Sequence, residues 1–171
     1  MAMISVRNLR IRRVPLLLAV MLLQTAAAHK PVTTSLSRIT DTSSGFAATT
    51  QLLGPSGELR GTAALTAVET GTHILAQLQG LRPGPYAIDL HKLGHCAGAG
   101  FTGAGDSIAH STNVIAGVDG RATIDLTIEG RPFIGGSRPL LGATGAAVVL
   151  EAAPRDGHGA VAIACGALAP H

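Results

Sequence analysis

Asp89 and His91 stand two residues apart in the run Tyr86-Ala87-Ile88-Asp89-Leu90-His91. On a β-strand, side chains at i and i+2 leave the same face. A carboxylate beside an imidazole suits zinc or copper. Two further imidazoles, His95 and His110, follow in the next stretch of chain. Asp89, His91, His95 and His110 together make a candidate four-donor set for Zn or Cu. The bland alternative is a hydrogen bond between Asp89 and His91, with His95 and His110 solvated. If metal is bound, a closed set implies structural zinc and an open position implies catalysis.

The two cysteines, Cys96 and Cys165, lie 69 positions apart. Their redox state depends on where the chain resides, and the N-terminus speaks to that. Arg7, Arg10, Arg12 and Arg13 precede an apolar run from Val14 to Leu23, and Ala26-Ala27-Ala28 offers small residues for cleavage. This pattern predicts a secretory signal peptide over residues 1–28, too short for a comfortable membrane span. No stable membrane span is therefore expected after cleavage, and the destination is the periplasm or the exterior. In an oxidising compartment an even pair of cysteines reads as one disulfide. The rival, a pair of thiolate metal ligands, lacks CxxC spacing. Cleavage after Ala28 would also free His29 as the N-terminal residue, whose amine and imidazole can chelate copper together.

Charge excludes one class of partner. Four of the 13 Lys and Arg residues lie in the signal, so nine basic residues face ten acidic ones in the mature chain. The basic pI is thus a property of the signal. With aromatics at 2% and no Lys/Arg cluster beyond residue 13, nucleic acid is not an expected partner. No GxSxG or P-loop is present, and Gly98-Ala99-Gly100 and Gly103-Ala104-Gly105 are loop glycines without a strand-to-helix context. His73 reads as a packed or surface residue of a strand, and His171 as a frayed end.

The elements that must position these residues are strands. The chain is 46% hydrophobic and 13% charged, so it can build a core, and 22 Gly with 9 Pro argue for turns over long helices. Residues 29–44, rich in Thr and Ser, read as a flexible lead-in to a domain over residues 45–171. Within that domain, strands are expected at Ala47–Leu53, Leu59–Ala67, His73–Leu78, Tyr86–His91, Ala122–Ile128, Gly145–Glu151 and Ala160–Cys165. Turn signals separate them, notably Gly54-Pro55-Ser56-Gly57, Leu81-Arg82-Pro83-Gly84-Pro85 and Val118-Asp119-Gly120-Arg121. Period-2 alternation with turns every 8 to 12 residues predicts an all-β sandwich or barrel.

Several of these segments, in order, resemble the copper/zinc superoxide dismutase family. Gly61-Thr62 is similar to its early G-T strand start. Gly80-Leu81-Arg82-Pro83-Gly84-Pro85-Tyr86-Ala87-Ile88-Asp89-Leu90-His91 resembles its G-L-x-P-G-x-H-G-F-H-V-H strand. Gly94-His95-Cys96 resembles its G-D-C, and Phe101-Thr102-Gly103-Ala104-Gly105 its F-x-S-A-G loop. Asn113-Val114, Asp119-Gly120, Gly145-Ala146-Ala147-Val148-Val149-Leu150-Glu151 and Ala164-Cys165-Gly166 complete the set. The resemblance runs from about Gly45 to Ala169. It implies a Greek-key β-sandwich and pairs Cys96 with Cys165.

The resemblance fails at the metal ligands. Of four copper-binding histidines in the family, the first falls on Asp89 and the second is kept as His91. The third, which bridges copper and zinc, falls on Ser107, and the fourth on Leu150. The zinc-ligand segment is reduced to Asp106–Thr112, with His110 where the family has an aspartate. The active-site arginine falls on Ala162; His158 is nearby but not equivalent. The resemblance therefore implies a dismutase fold with degenerate copper and zinc sites. The expected role is a non-dismutase metal-binding, ligand-binding or scaffold protein. The alternative is an atypical dismutase that acts on superoxide through a copper site rebuilt around His91.

Overall fold

The structure, a computed structural model, describes residues 38–42, 45–111, 113–154 and 159–169. Residues 1–28, read above as a signal peptide, and His29, His158 and His171 lie outside the described residues. Among the described residues ten antiparallel strands make up the fold. They are β1 (Arg38–Thr42), β2 (Gly45–Leu53), β3 (Leu59–Val68), β4 (Gly71–Leu78), β5 (Gly84–His91), β6 (Ser107–His110), β7 (Val114–Ala116), β8 (Ala122–Glu129), β9 (Ala146–Ala152) and β10 (Val161–Leu168). The expected all-β barrel is present, and all seven expected strands are there to within a few residues at each end. Gly84-Pro85, read as turn, already belongs to β5. Strand β1 lies inside the segment read as lead-in and pairs with the first half of β2, Arg38 opposite Thr49.

Strand order is β6-β5-β9-β10-β2-β3-β4-β8, with β7 also on β5, in a nearly closed barrel-like sheet. The β2–β3–β4 meander is local, held by turns such as Gly54–Glu58, where the Gly54 amide donates to the Glu58 carbonyl. The pairings β5–β9 and β10–β2 are long-range Greek-key crossings. Among the described residues no helix is long and apolar enough to cross a membrane.

Alternation explains the interior. On β3, Ala63 and Leu65 point in; on β4, Ile74, Ala76 and Leu78 do so. Strand β9 instead reads as a continuous apolar run from Ala146 to Leu150, and β5 is buried from Tyr86 to Leu90, because both of their faces are covered over these residues. Tyr86, Ile88 and Leu90 of β5 and Val148 and Leu150 of β9 enter the main core. Ala147 and Val149 face the other way, into a small second core with Phe101, Ala104 and Cys165. The turn segment Ala99–Ala104 supplies that cover. The Cys96–Cys165 disulfide, Cα–Cα 5.7 Å, fastens its loop to β10. At the root of this loop Gly145, at φ +77°, packs against Gly94, and a Cβ on Gly145 would stand 2.3 Å from the Leu168 carbonyl. Only glycine combines that backbone angle with that approach.

The Pro132–Gly136 loop closes the barrel rather than exposing an apolar contact. Phe133 is 1% exposed and joins Leu140 and Leu141 in the main core. Two backbone bonds, from the Leu140 amide to the Pro132 carbonyl and from Leu141 to Phe133, hold the segment as a folded plug.

Candidate functional site

The outer face of β5 carries Ala87, Asp89 and His91. Register sets their neighbours: Asp89 is opposite His110 of β6 on one side and Val149 of β9 on the other. His91 is opposite Ala147, and Ala87 opposite Glu151. Glu151 is thus the diagonal neighbour of Asp89 across the sheet, within reach of long side chains.

Asp89 is buried, and a buried carboxylate needs a partner. It has one: His110 Nδ1 donates to Asp89 Oδ1. The Asp89 side chain is 12% exposed and that of His110 59%, so the imidazole acts as a half-open cover on the acid. The Asp89–His91 hydrogen bond of the bland reading is not formed; His110 takes that role.

His91 is held differently. Its Nδ1 lies 2.7 Å from the carbonyl oxygen of Gly105. A carbonyl only accepts, so Nδ1 is the donor, and in the neutral imidazole it is Nε2 that holds the lone pair. That Nε2 is buried and has no hydrogen-bond partner. Gly105 reaches this position because the loop folds back on β5 through backbone bonds from Lys92 to Asp106 and from Leu93 to Ala104. The nearby Asp106 carboxyl is held below the usual carboxylate range by its bond to Lys92.

Glu151 reports on the same face from β9. Burial pushes its carboxyl above the usual range, and the Asp89 charge pushes it further. His91 and His110 oppose that shift. Glu151 thus senses Asp89, His91 and His110 across the sheet.

Of the four residues singled out from sequence, the fold brings Asp89, His91 and His110 onto one face. It does not bring His95, which is exposed in the loop after β5 and has no hydrogen bond or ion pair among the described residues. Glu151 was missed. The only signal for it was the β9 alternation, which sends Val149 and Glu151 outward and Leu150 inward. Leu150, aligned with a family copper ligand, is fully buried in the main core. Ser107 opens β6 on the exposed surface, and Ala162 packs against the second core beside a bulge in β10. His73 pairs with Asp125 at 2.8 Å on the exposed face of β4 and β8, away from these groups.

Among the described residues, no three His, Cys, Asp or Glu side chains stand together as a ready metal cage. The paired copper–zinc centre implied by the resemblance does not fit these residues: one ligand position is a core leucine, another is a carboxylate already bonded to His110. What these residues do offer is the buried Nε2 of His91 without a hydrogen-bond partner, on a ring whose other nitrogen is anchored by the Gly105 carbonyl. The chain matches no family model and no curated protein.

Proposed function

We propose that this is an exported, non-dismutase member of the dismutase-like barrels that holds one divalent ion, copper or zinc, at the outer face of β5. The observation that carries the reading is the buried, unpartnered Nε2 of His91. Asp89 and Glu151 lie on the same face of the sheet and would supply the oxygen donors. Metal would compete with His110 for Asp89, so His110 is the side chain that fills the site when no ion is present. One imidazole with carboxylates suits an ion that keeps its charge, whereas rapid copper cycling is served by several imidazoles. With Ala162 in place of a steering arginine, nothing at that position concentrates an anion such as superoxide.

The test is a calorimetric titration of the oxidised, chelator-washed mature protein with Cu(II) and Zn(II). A His29→Ala background removes terminal chelation from the count. One equivalent is expected to bind, and His91→Ala is expected to weaken it by about 100-fold or more, beyond the usual cost of losing a supporting residue. No saturable binding, or binding that survives His91→Ala unchanged, would overturn the proposal.

A further inference from the structure

A second site lies at the barrel end where β5 begins and β9 finishes, and it is independent of the His91 face. The chain meets β2 from β10 at the single pair Cys165–Leu53. Leu53 is the last residue of β2, so the Val161–Ile163 end of β10 runs on past it. There a cavity of about 490 Å³ opens. Its volume falls in the range of small-molecule sites, about 300–1,000 Å³. Leu81, Tyr86, Val161 and Ile163 give it apolar walls, and Arg60 and Arg82 give it cations.

The polar groups are unevenly satisfied. Tyr86 spends its hydroxyl on the Arg82 carbonyl at 2.9 Å, so the ring presents only its apolar body. Arg60 donates through Nη1 to the Gly80 carbonyl and through Nη2 to Glu58 Oε1, but its Nε is buried without a partner. Backbone bonds, and then Arg60 itself, hold the Glu58 carboxyl below its usual range, so its charge offsets that of Arg60. Arg82 is exposed and, among the described residues, has no acidic partner. Among the described residues the cavity thus has two guanidiniums beside its apolar walls, one of them offset by Glu58 and with its Nε left unpartnered. A buried donor without a partner is rare enough to require an explanation.

We infer that this cavity binds a small amphipathic monocarboxylate. Its apolar body would lie among Leu81, Tyr86 and Ile163, and its carboxylate would meet Arg82 and the free Nε of Arg60. Carboxylate recognition by a guanidinium is charge-assisted and is lost with a neutral isostere.

The experiment titrates 4-phenylbutyrate into the ¹⁵N-labelled mature protein and follows amide shifts. In parallel it uses the neutral alcohol of the same skeleton, 4-phenylbutan-1-ol. Saturable shifts confined to Leu81, Tyr86 and Ile163 are expected, with the alcohol at least about tenfold weaker. Arg82→Gln should bind the acid as weakly as the wild type binds the alcohol, a loss of about tenfold. This side chain is exposed, so the variant keeps its fold, which its unchanged spectrum outside the cavity verifies. Equal binding of acid and alcohol, unchanged affinity in Arg82→Gln, shifts centred on His91 and Glu151, or no saturable shift would each overturn the inference.

Discussion

Replacing both Cys96 and Cys165 with serine should lower the unfolding free energy by about 4 kcal/mol, the chain-entropy value for closing a loop of this length. Against a total of roughly 5–15 kcal/mol for a domain, that is a large share. The bond closes a 69-residue separation and does so between a surface loop and β10. Without it, Phe101 and Ala104 lose the tether that holds them over Ala147 and Val149. The same loop delivers the Gly105 carbonyl to His91 Nδ1, so the reduced protein should also bind metal less tightly. Urea denaturation with and without reductant measures the effect. An unchanged midpoint on reduction would show that the loop is held by its packing alone.

Phe133→Ala should cost about 3–5 kcal/mol, the usual range for removing a buried aromatic side chain. Phe133 sits in an irregular loop with glycines after it, a context in which substitutions are ordinarily tolerated. Here the ring is 1% exposed and packs with Leu140 and Leu141 in the main core. The contrast is with Val118, 97% exposed in the turn before β8, where the change to alanine should stay within about 0.5 kcal/mol. Equilibrium urea unfolding of the two variants separates these outcomes. A loss of under about 1 kcal/mol for Phe133→Ala would contradict a plug that the barrel depends on.

What could be read from the sequence follows the reach of each signal. Strands β3, β4 and β8 alternate over eight or more residues, and that period is local information. Strands β6 and β7 have four and three residues and lie among glycines and polar residues, so no alternation develops; their pairing with β5 makes them strands. Strand β1 is Thr-rich and charged, and its pairing with β2 makes it a strand. The disulfide was legible because the sequence has two cysteines and an N-terminal pattern that predicts export, which together leave few options.

The candidate site divides in the same way. That Asp89 and His91 share a face is a two-residue fact. That His110 caps Asp89, and that Glu151 rather than Leu150 faces them, depends on the β5–β6 and β5–β9 registers, which join residues far apart in the chain. His95 was grouped with the others by proximity in sequence, and the loop after β5 carries it to the exposed surface. The cavity beside Arg82 has no sequence signature, since it exists where β10 outruns β2.

The central claim is that a barrel of this kind keeps one metal-binding imidazole without fast dismutation. The most direct measurement is superoxide dismutation by the oxidised, copper-loaded mature protein after loosely bound metal is removed. The account expects a rate no higher than the buffer blank, with copper still bound. Metal-dependent turnover near the diffusion limit, about 10⁸–10⁹ M⁻¹s⁻¹, and its loss in His91→Ala would contradict it and make the β5 face a rebuilt copper centre.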